Sequence, residues 1–372
     1  MVPARRPETE SGARCASGYY SAMGAILQPG NADADCWIII EGGGSRTTVV
    51  VTGPGPGRAD GDSTNPRSVG PAQAARTLHD LVAAALAAAN TRPDAVMFAV
   101  ASHGAASTTE AAYEFAHLLD GALRQAGVAA PVAVTGDILP LLFSVEATLT
   151  VAVIVGTGTE YLARHGTDRF AVASGLDYLL TDEGGGFDLG LQGLRAVAQA
   201  LDGRGPATAL TASAGDWCGR SPSGSLREDL FRKVYQTPAR PTVASFARSV
   251  LAVAARGDPV ATALVDSAVG EVLVGVRTVL RAVGADGARP TLILSGSLAS
   301  TDNAFRERLL TRLAAELAEA QIVTHDDSAL APAVRRLGEL VLRHRDDLGR
   351  LRRAGPVVLL GSAPDASPRG AP

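Results

Sequence analysis

Trp37–Val51 reads WIIIEGGGSRTTVVV, and its pattern decides the fold. The apolar run Ile38-Ile39-Ile40 ends on a carboxylate, Glu41. Gly42, Gly43 and Gly44 follow, then Ser45, Arg46, Thr47 and the run from Thr48 to Val51. Both flanks have the character of buried strands, and the glycine cluster predicts a tight turn between them. Consecutive glycines cost backbone entropy and pack nothing into a core. What they permit is close approach of a ligand to backbone N–H groups, the setting in which phosphates are held. An ordinary hairpin turn accounts for the same residues, so this stretch alone leaves both readings open.

Outward from it, the 372-residue chain is 46% hydrophobic and 19% charged, enough for a sizeable core and about two domains. A net charge of -4 argues against a nucleic-acid or anionic-membrane binder. Cys15, Cys36 and Cys218 form no C-x-x-C pair, so neither a disulfide framework nor a zinc or iron–sulfur pattern is expected, and the reducing cytoplasm is the expected home. The histidines make no H-x-x-x-H pair. Lys233 is the only lysine, in LREDLFRKVY with no glycine near it, so a Walker A loop is excluded. No run of 18 apolar residues is present, so no membrane span is expected.

Residues 1–34 read as a disordered extension and 354–372 as a disordered tail. Between them, 52–70 is a glycine- and proline-rich loop, and Pro71 opens a helix to about Ala89. A strand covers 95–101 and a helix 108–125. A strand at 131–135 then runs into Gly136-Asp137 and a helix starting at Ile138. A second strand–glycine turn–strand unit occupies 149–164 around Gly156-Thr157-Gly158-Thr159. A short strand (170–173) leads into SGLDYLLTDEGGGFDLG and a helix over 187–201. Helices at 226–234, 243–256, 258–283, 303–319 and 328–346 and strands at 291–294 and 320–323 complete an α/β pattern. The boundaries expected are an α/β lobe over 35–147, a second over 148–327, and a terminal helix over 328–353 packing back on the first.

Taken in order, IIIEGGGSRT, STNPRSVG, TGD, VGTGT and DEGGGFDLG resemble the BadF/BadG/BcrA/BcrD-type ATPases over about 36–346, and within them the N-acetylglucosamine kinases of the actin/hexokinase/Hsp70 superfamily. Each motif is weak alone; five in order are specific. The resemblance implies two ribonuclease-H-like lobes with an interlobe cleft, ATP and Mg²⁺ as cofactors, and a sugar hydroxyl as phosphoryl acceptor. It places Gly43, Gly44, Ser45, Arg46 and Thr47 in a first phosphate loop, Gly156, Gly158 and Thr159 in a second, and Gly296 and Ser297 beside the adenosine. Glu41 would stand near the magnesium and its waters. Asn65, Ser102, Thr157, Gly175 and Asp182 would contact the sugar. Asp137 matches the catalytic aspartate: an alcohol has a high pKa, and a carboxylate in hydrogen-bond reach orients it and takes its proton.

Structural alternatives accompany these roles. Asp137 and Asp182 could cap the helices that follow them, and Asn65 could be a plain Asn-Pro turn residue. The chain also departs from the family. Gly175-Leu176-Asp177 replaces Gly-Trp-Gly, Thr181 a glycine, Ala331-Pro332-Ala333 a glycine-bearing pattern, and His103 a sugar-side glycine. His103 reads as a satisfied loop histidine or a ligand contact. The expected function is an ATP-dependent kinase acting on the 6-hydroxyl of N-acetylglucosamine or a related amino sugar, with a homodimer left open. The alternatives are a silent sugar or nucleotide sensor, or a family ATPase with another substrate. The iron–sulfur activase branch falls, because none of the cysteines is suitably placed.

Overall fold

Strand β1 (Trp37–Gly42) is apolar on both faces because both faces are covered. The computed structural model describes residues 35–42, 46–219, 224–235, 239–325, 330–349 and 351–361. These divide into two compact units, one built from the chain up to Pro140 and from Leu330 onward, the other from Leu141–Ala329.

In the first unit β1 pairs antiparallel with β2 (Arg46–Val51), Ile38 opposite Val51 and Gly42 opposite Thr47. The predicted hairpin is therefore present, while Gly43, Gly44 and Ser45 lie outside the described residues. β2 pairs antiparallel with β3 (Gly57–Asp62), a correction to the loop expected over 52–70. In GRADGD the charged residues point outward and the small ones inward. They are small because a helix lies on them: a Cβ at Gly57 would collide with the Ala85 carbonyl, and one at Gly61 would sit 2.9 Å from Leu81 Cδ2. The short helix α1 (Pro66–Val69) and α2 (Pro71–Ala88) follow, then β4 (Phe98–His103), α3 (Thr109–Gln125, capped by Thr108) and β5 (Val132–Thr135). β4 runs parallel to β1, and β5 parallel to β4. After β5 the chain makes a 3₁₀ turn over Leu139–Phe143 in place of the expected helix from Ile138.

The second unit repeats this plan. β6 (Leu149–Val155), β7 (Thr159–His165) and β8 (Arg169–Ser174) form an antiparallel meander. Six helices come next: α4 (Gly186–Leu201), α5 (Leu210–Cys218), α6 (Leu226–Tyr235), α7 (Ala239–Ser245), α8 (Ala247–Ala254) and α9 (Pro259–Ala282). The chain then forms β9 (Thr291–Ser295), α10 (Ser297–Ser300), α11 (Ala304–Glu316) and β10 (Gln321–Thr324). β9 is parallel to β6 and β10 to β9. The strand order β8-β7-β6-β9-β10 matches β3-β2-β1-β4-β5 of the first unit. The division at Pro140 precedes the expected boundary because the 3₁₀ turn belongs to the second sheet: the Leu142 carbonyl accepts from Thr150 Oγ1 (3.1 Å) and Arg164 Nε (3.1 Å).

Length and composition alone would let α9 cross a membrane, although the chain has no unbroken apolar run of 18 residues. Here one face, including Val265, Val269, Val272 and Val276, is buried in the core shared with β6, β7 and the helices. Gly190 of α4 marks a close helix crossing, since a Cβ there would strike the Val243 carbonyl of α7. Alanine is worth up to about 1 kcal/mol over glycine in a helix interior, but overpacking against an unyielding backbone costs about 1–3 kcal/mol. Gly190→Ala should therefore lower stability; an unchanged or raised denaturant midpoint would disprove this close packing.

The chain returns to the first unit as α12 (Leu330–Arg343) and β11 (Val357–Leu360). Ile38, Ile40, Ala99 and Ala101 face the core formed with α2 and α3. On the other face α12 covers β1 and β4: a Cβ at Gly338 would lie 2.9 Å from the Trp37 ring, and the Arg335 guanidinium sits 5.1 Å from that ring's centroid. β11 pairs antiparallel with β5, so residues 357–360 correct the disordered tail expected from 354. Val357 and Val358 are buried in the process.

Candidate functional site

Parallel strands deliver their carboxyl ends to one edge of a sheet, where ligands of α/β folds usually bind. In the first unit the register aligns Glu41 of β1 with Ser102 of β4, and Ser102 with Thr135 of β5. Asp137 follows two residues later. Ser102 is only 2% exposed. Its hydroxyl donates to the Gly136 carbonyl at 3.3 Å, and Thr135 Oγ1 donates to the same oxygen at 3.2 Å. Ser102 thus fixes the turn that presents Asp137. Asp137 is exposed at the surface, yet the protein mass around it raises its carboxyl above the ordinary range by desolvation.

Beneath the first hairpin lies a buried chain of hydrogen bonds. His103 is fully buried and stacks on Phe115, ring centroids 4.0 Å apart. Its Nδ1 accepts from the Ala105 amide (2.9 Å), which leaves the proton on Nε2. Nε2 lies 2.9 Å from Thr64 Oγ1, and Thr64 Oγ1 lies 2.7 Å from Thr47 Oγ1. Loss of solvation pulls the imidazole pKa down to about 4. His103 is therefore the satisfied histidine of the two readings. Thr47 is also fully buried, and its hydroxyl is used inside the fold, accepting from the Thr64 amide as well. Asn65 caps α1, its Oδ1 accepting from the Arg67 amide at 3.0 Å, as the turn reading expected.

The second unit holds a cavity of about 280 Å³ lined by the Gly156–Thr159 hairpin together with Glu160, Gly175, Asp177, Asp182 and Arg240. The hairpin is docked on the start of α4. Gly186 N–H donates to the Gly156 carbonyl and Phe187 N–H to the Thr157 carbonyl, both at 2.8 Å. A Cβ at Gly185 would lie 2.9 Å from Gly158 Cα. The glycines of the D-E-G-G-G segment thus let backbone meet backbone. Gly296, at φ 85°, closes on the hairpin from β9, where a Cβ would fall 2.6 Å from the Val155 carbonyl. Ser297 beside it is exposed.

Asp182 is 3% exposed and left-handed at φ 77°. Its Oδ1 accepts from the Thr159 amide at 2.9 Å, and its own amide donates to Ser174 Oγ at 3.3 Å. It does not cap α4, whose cap is Gly185. Its other oxygen meets Arg240 Nη2 at 3.2 Å, while Arg240 Nη1 reaches Asp177 Oδ1 at 2.5 Å. Ser174 (φ 65°) and Asp177 (φ 71°) are left-handed as well. Such residues cost roughly 1–3 kcal/mol each and persist where their surroundings over-determine them, commonly at ligand clamps. Arg240 was missed from sequence: it lies 58 positions from Asp182, on a short helix with no motif. The one available signal was that a buried aspartate requires a cation.

These residues fit the expected cofactors. A Cβ on Gly156 would meet nothing nearer than 3.9 Å, so the turn has room beside it, while the Gly156 amide itself donates to the Gly158 carbonyl at 2.9 Å; Thr157 next to it is exposed. Glu41 is a half-buried carboxylate at the end of β1, an oxygen donor of the kind magnesium takes while keeping most of its water. Among the described residues no group of three or more His, Cys, Asp or Glu forms a cage for a metal.

Comparison with known proteins gives the chain's relatives. An N-acetylmuramic acid/N-acetylglucosamine kinase of Clostridium acetobutylicum is 23% identical over 220 residues, 58% of this chain and 71% of that protein. A Chromobacterium violaceum structure, described provisionally as an N-acetylglucosamine kinase, matches with a TM-score of 0.58 at 22% identity, covering 83% of this chain and 99% of that one. A similarly described Porphyromonas gingivalis structure gives 0.54 at 21% identity, over 83% and 99%. At these identities the two structures establish a shared fold. Its residues 40–334 matched by the family's model, the chain belongs to the BadF/BadG/BcrA/BcrD ATPase family.

Proposed function

We propose that this protein is an ATP-dependent kinase that transfers the γ-phosphoryl group of ATP to the 6-hydroxyl of N-acetylglucosamine or a related amino sugar. The observation that carries the reading is Asp137: an exposed carboxylate, raised in pKa, held after a parallel strand by Ser102 and Thr135. Asp137 accepts the acceptor's hydroxyl proton as its oxygen bonds to the γ-phosphorus and the bond to the leaving ADP oxygen breaks. The turn Gly156–Thr159 is assigned to the phosphates, with the Gly158 amide as its donor because the Gly156 amide already serves the Gly158 carbonyl and the Thr159 amide serves Asp182, and Gly296 and Ser297 are assigned to the adenosine side. The first hairpin, with Arg46 exposed at the start of β2, is assigned to the phosphates too. Asp182, Thr157 and Gly175 are assigned to the sugar, and Asn65 also to it through whatever its capping role leaves available. Glu41 would hold magnesium, which when bound neutralises charge on the phosphates.

A coupled ADP-release assay over a panel of neutral, acidic and cationic sugars tests this. Mg-ATP turnover that depends on an amino sugar is the expected result. Turnover indifferent to sugar would assign the chain to another ATPase reaction, and ATP binding without turnover would favour a sensor.

A further inference from the structure

Resting on the kinase reading, we infer that the second-unit cavity selects its acceptor by charge, taking neutral amino sugars and turning away those that carry a carboxylate, with Asp177 as the specificity-determining residue. The cavity wall carries Asp177 and Asp182 on one guanidinium, Arg240, with Glu160 lining it as well, so carboxylates outnumber cations among the lining side chains. Arg240 is the one cationic side chain lining the cavity. Both its terminal nitrogens are already engaged, Nη2 by Asp182 at 3.2 Å and Nη1 by Asp177 at 2.5 Å. Its guanidinium also lies 5.2 Å from the Tyr178 ring centroid. An anionic acceptor would have to break one of these pairs and still face the remaining carboxylates. A like-charge approach of that kind suppresses wrong partners.

Among the three acids Asp177 can be changed with least damage. Asp182 is buried and receives the Thr159 amide. Glu160 lies against Gly175, where a Cβ would fall 2.8 Å from its carboxyl carbon. Asp177 has a half-exposed side chain, and besides Arg240 its carboxylate accepts only the Tyr178 amide (2.8 Å) among the contacts described. Asparagine keeps that acceptor oxygen and tolerates the left-handed backbone, so Asp177→Asn removes charge with little change in shape.

The test measures kcat/KM for N-acetylglucosamine and N-acetylmuramic acid, which share a pyranose ring and differ by a lactyl carboxylate. The wild type should prefer the neutral sugar at least tenfold, and the preference should shrink as salt rises. Asp177→Asn and Glu160→Gln should each reduce the ratio severalfold or more, whereas Arg240→Gln should raise it. A purely structural role would lower turnover of both sugars together and leave the ratio unmoved. Equal use of the two sugars by the wild type, or ratios indifferent to all three variants, would overturn the inference. Turnover with no sugar would instead sink the kinase reading. Calorimetric titration then decides the charge rule separately: binding of the neutral sugar alone upholds it, equal binding overturns it, and binding of neither overturns both.

Discussion

Replacing Asp137 with asparagine is expected to lower kcat by about 10²–10³-fold, or about 3–4 kcal/mol in activation free energy, with the sugar KM changed only a few-fold. Asparagine preserves the shape of the side chain and can still accept a hydrogen bond from the hydroxyl, so binding survives. What it cannot do is take the proton. A positioned base contributes about 10²–10⁴-fold in general. The lower part of that range applies because phosphoryl transfer relies chiefly on positioning and electrostatic stabilisation, which the variant leaves in place. The pH profile provides an independent reading. Desolvation raises the Asp137 carboxyl above the ordinary range, so wild-type kcat/KM should fall on the acid side at a pH above that of a solvated aspartate. That limb should vanish in the variant. A loss smaller than tenfold, or an acid limb retained by Asp137→Asn, would remove Asp137 from the base role.

Asp137 was legible because it combines a residue type, a position after an apolar run and a place in an ordered set of motifs. The two strand–glycine–strand units were legible for a similar reason: β-branched flanks mark the strands and the glycines between them mark the turn. Glycine outside those turns misled. Gly57 and Gly61 read as loop composition, yet they are small because α2 needs close approach to β3. In one dimension a packing glycine and a turn glycine look alike. β11 escaped notice as four apolar residues inside a Pro-, Gly- and Ser-rich tail, and its partner β5 is more than two hundred residues away. Ser102 and Thr47 stood in the right motifs, but sequence could not show that both residues are buried and that their hydroxyls bond within the fold. Asp182 and Arg240 mark the same limit. The aspartate stood in a motif, whereas the cation that satisfies it did not.

His103 gives the largest expected effect on stability. With a folded pKa of about 4 against an ordinary value of 6.5, the imidazole stays neutral in the fold at pH values where the unfolded chain takes up a proton. Its effect on stability is therefore absent above pH 6.5 and grows as pH falls toward 4, destabilising the fold throughout that window. The limiting loss is about 3 kcal/mol, of which about 2 kcal/mol should be reached between pH 7 and pH 5. Other titrating groups contribute to the raw curve, so the quantity to measure is the difference between wild type and His103→Phe in urea unfolding at each pH. Phenylalanine preserves the stack on Phe115 but loses the contacts to Thr64 and Ala105, and should start about 1–3 kcal/mol less stable at pH 7. Because it cannot be protonated, that deficit should narrow by about 2 kcal/mol at pH 5. Thr64 and Thr47 stand above His103 in the same hydrogen-bonded chain, so the acid-labile element is the anchor of the first glycine hairpin. A deficit that stays constant from pH 7 to pH 5 would mean that His103 is not held neutral there.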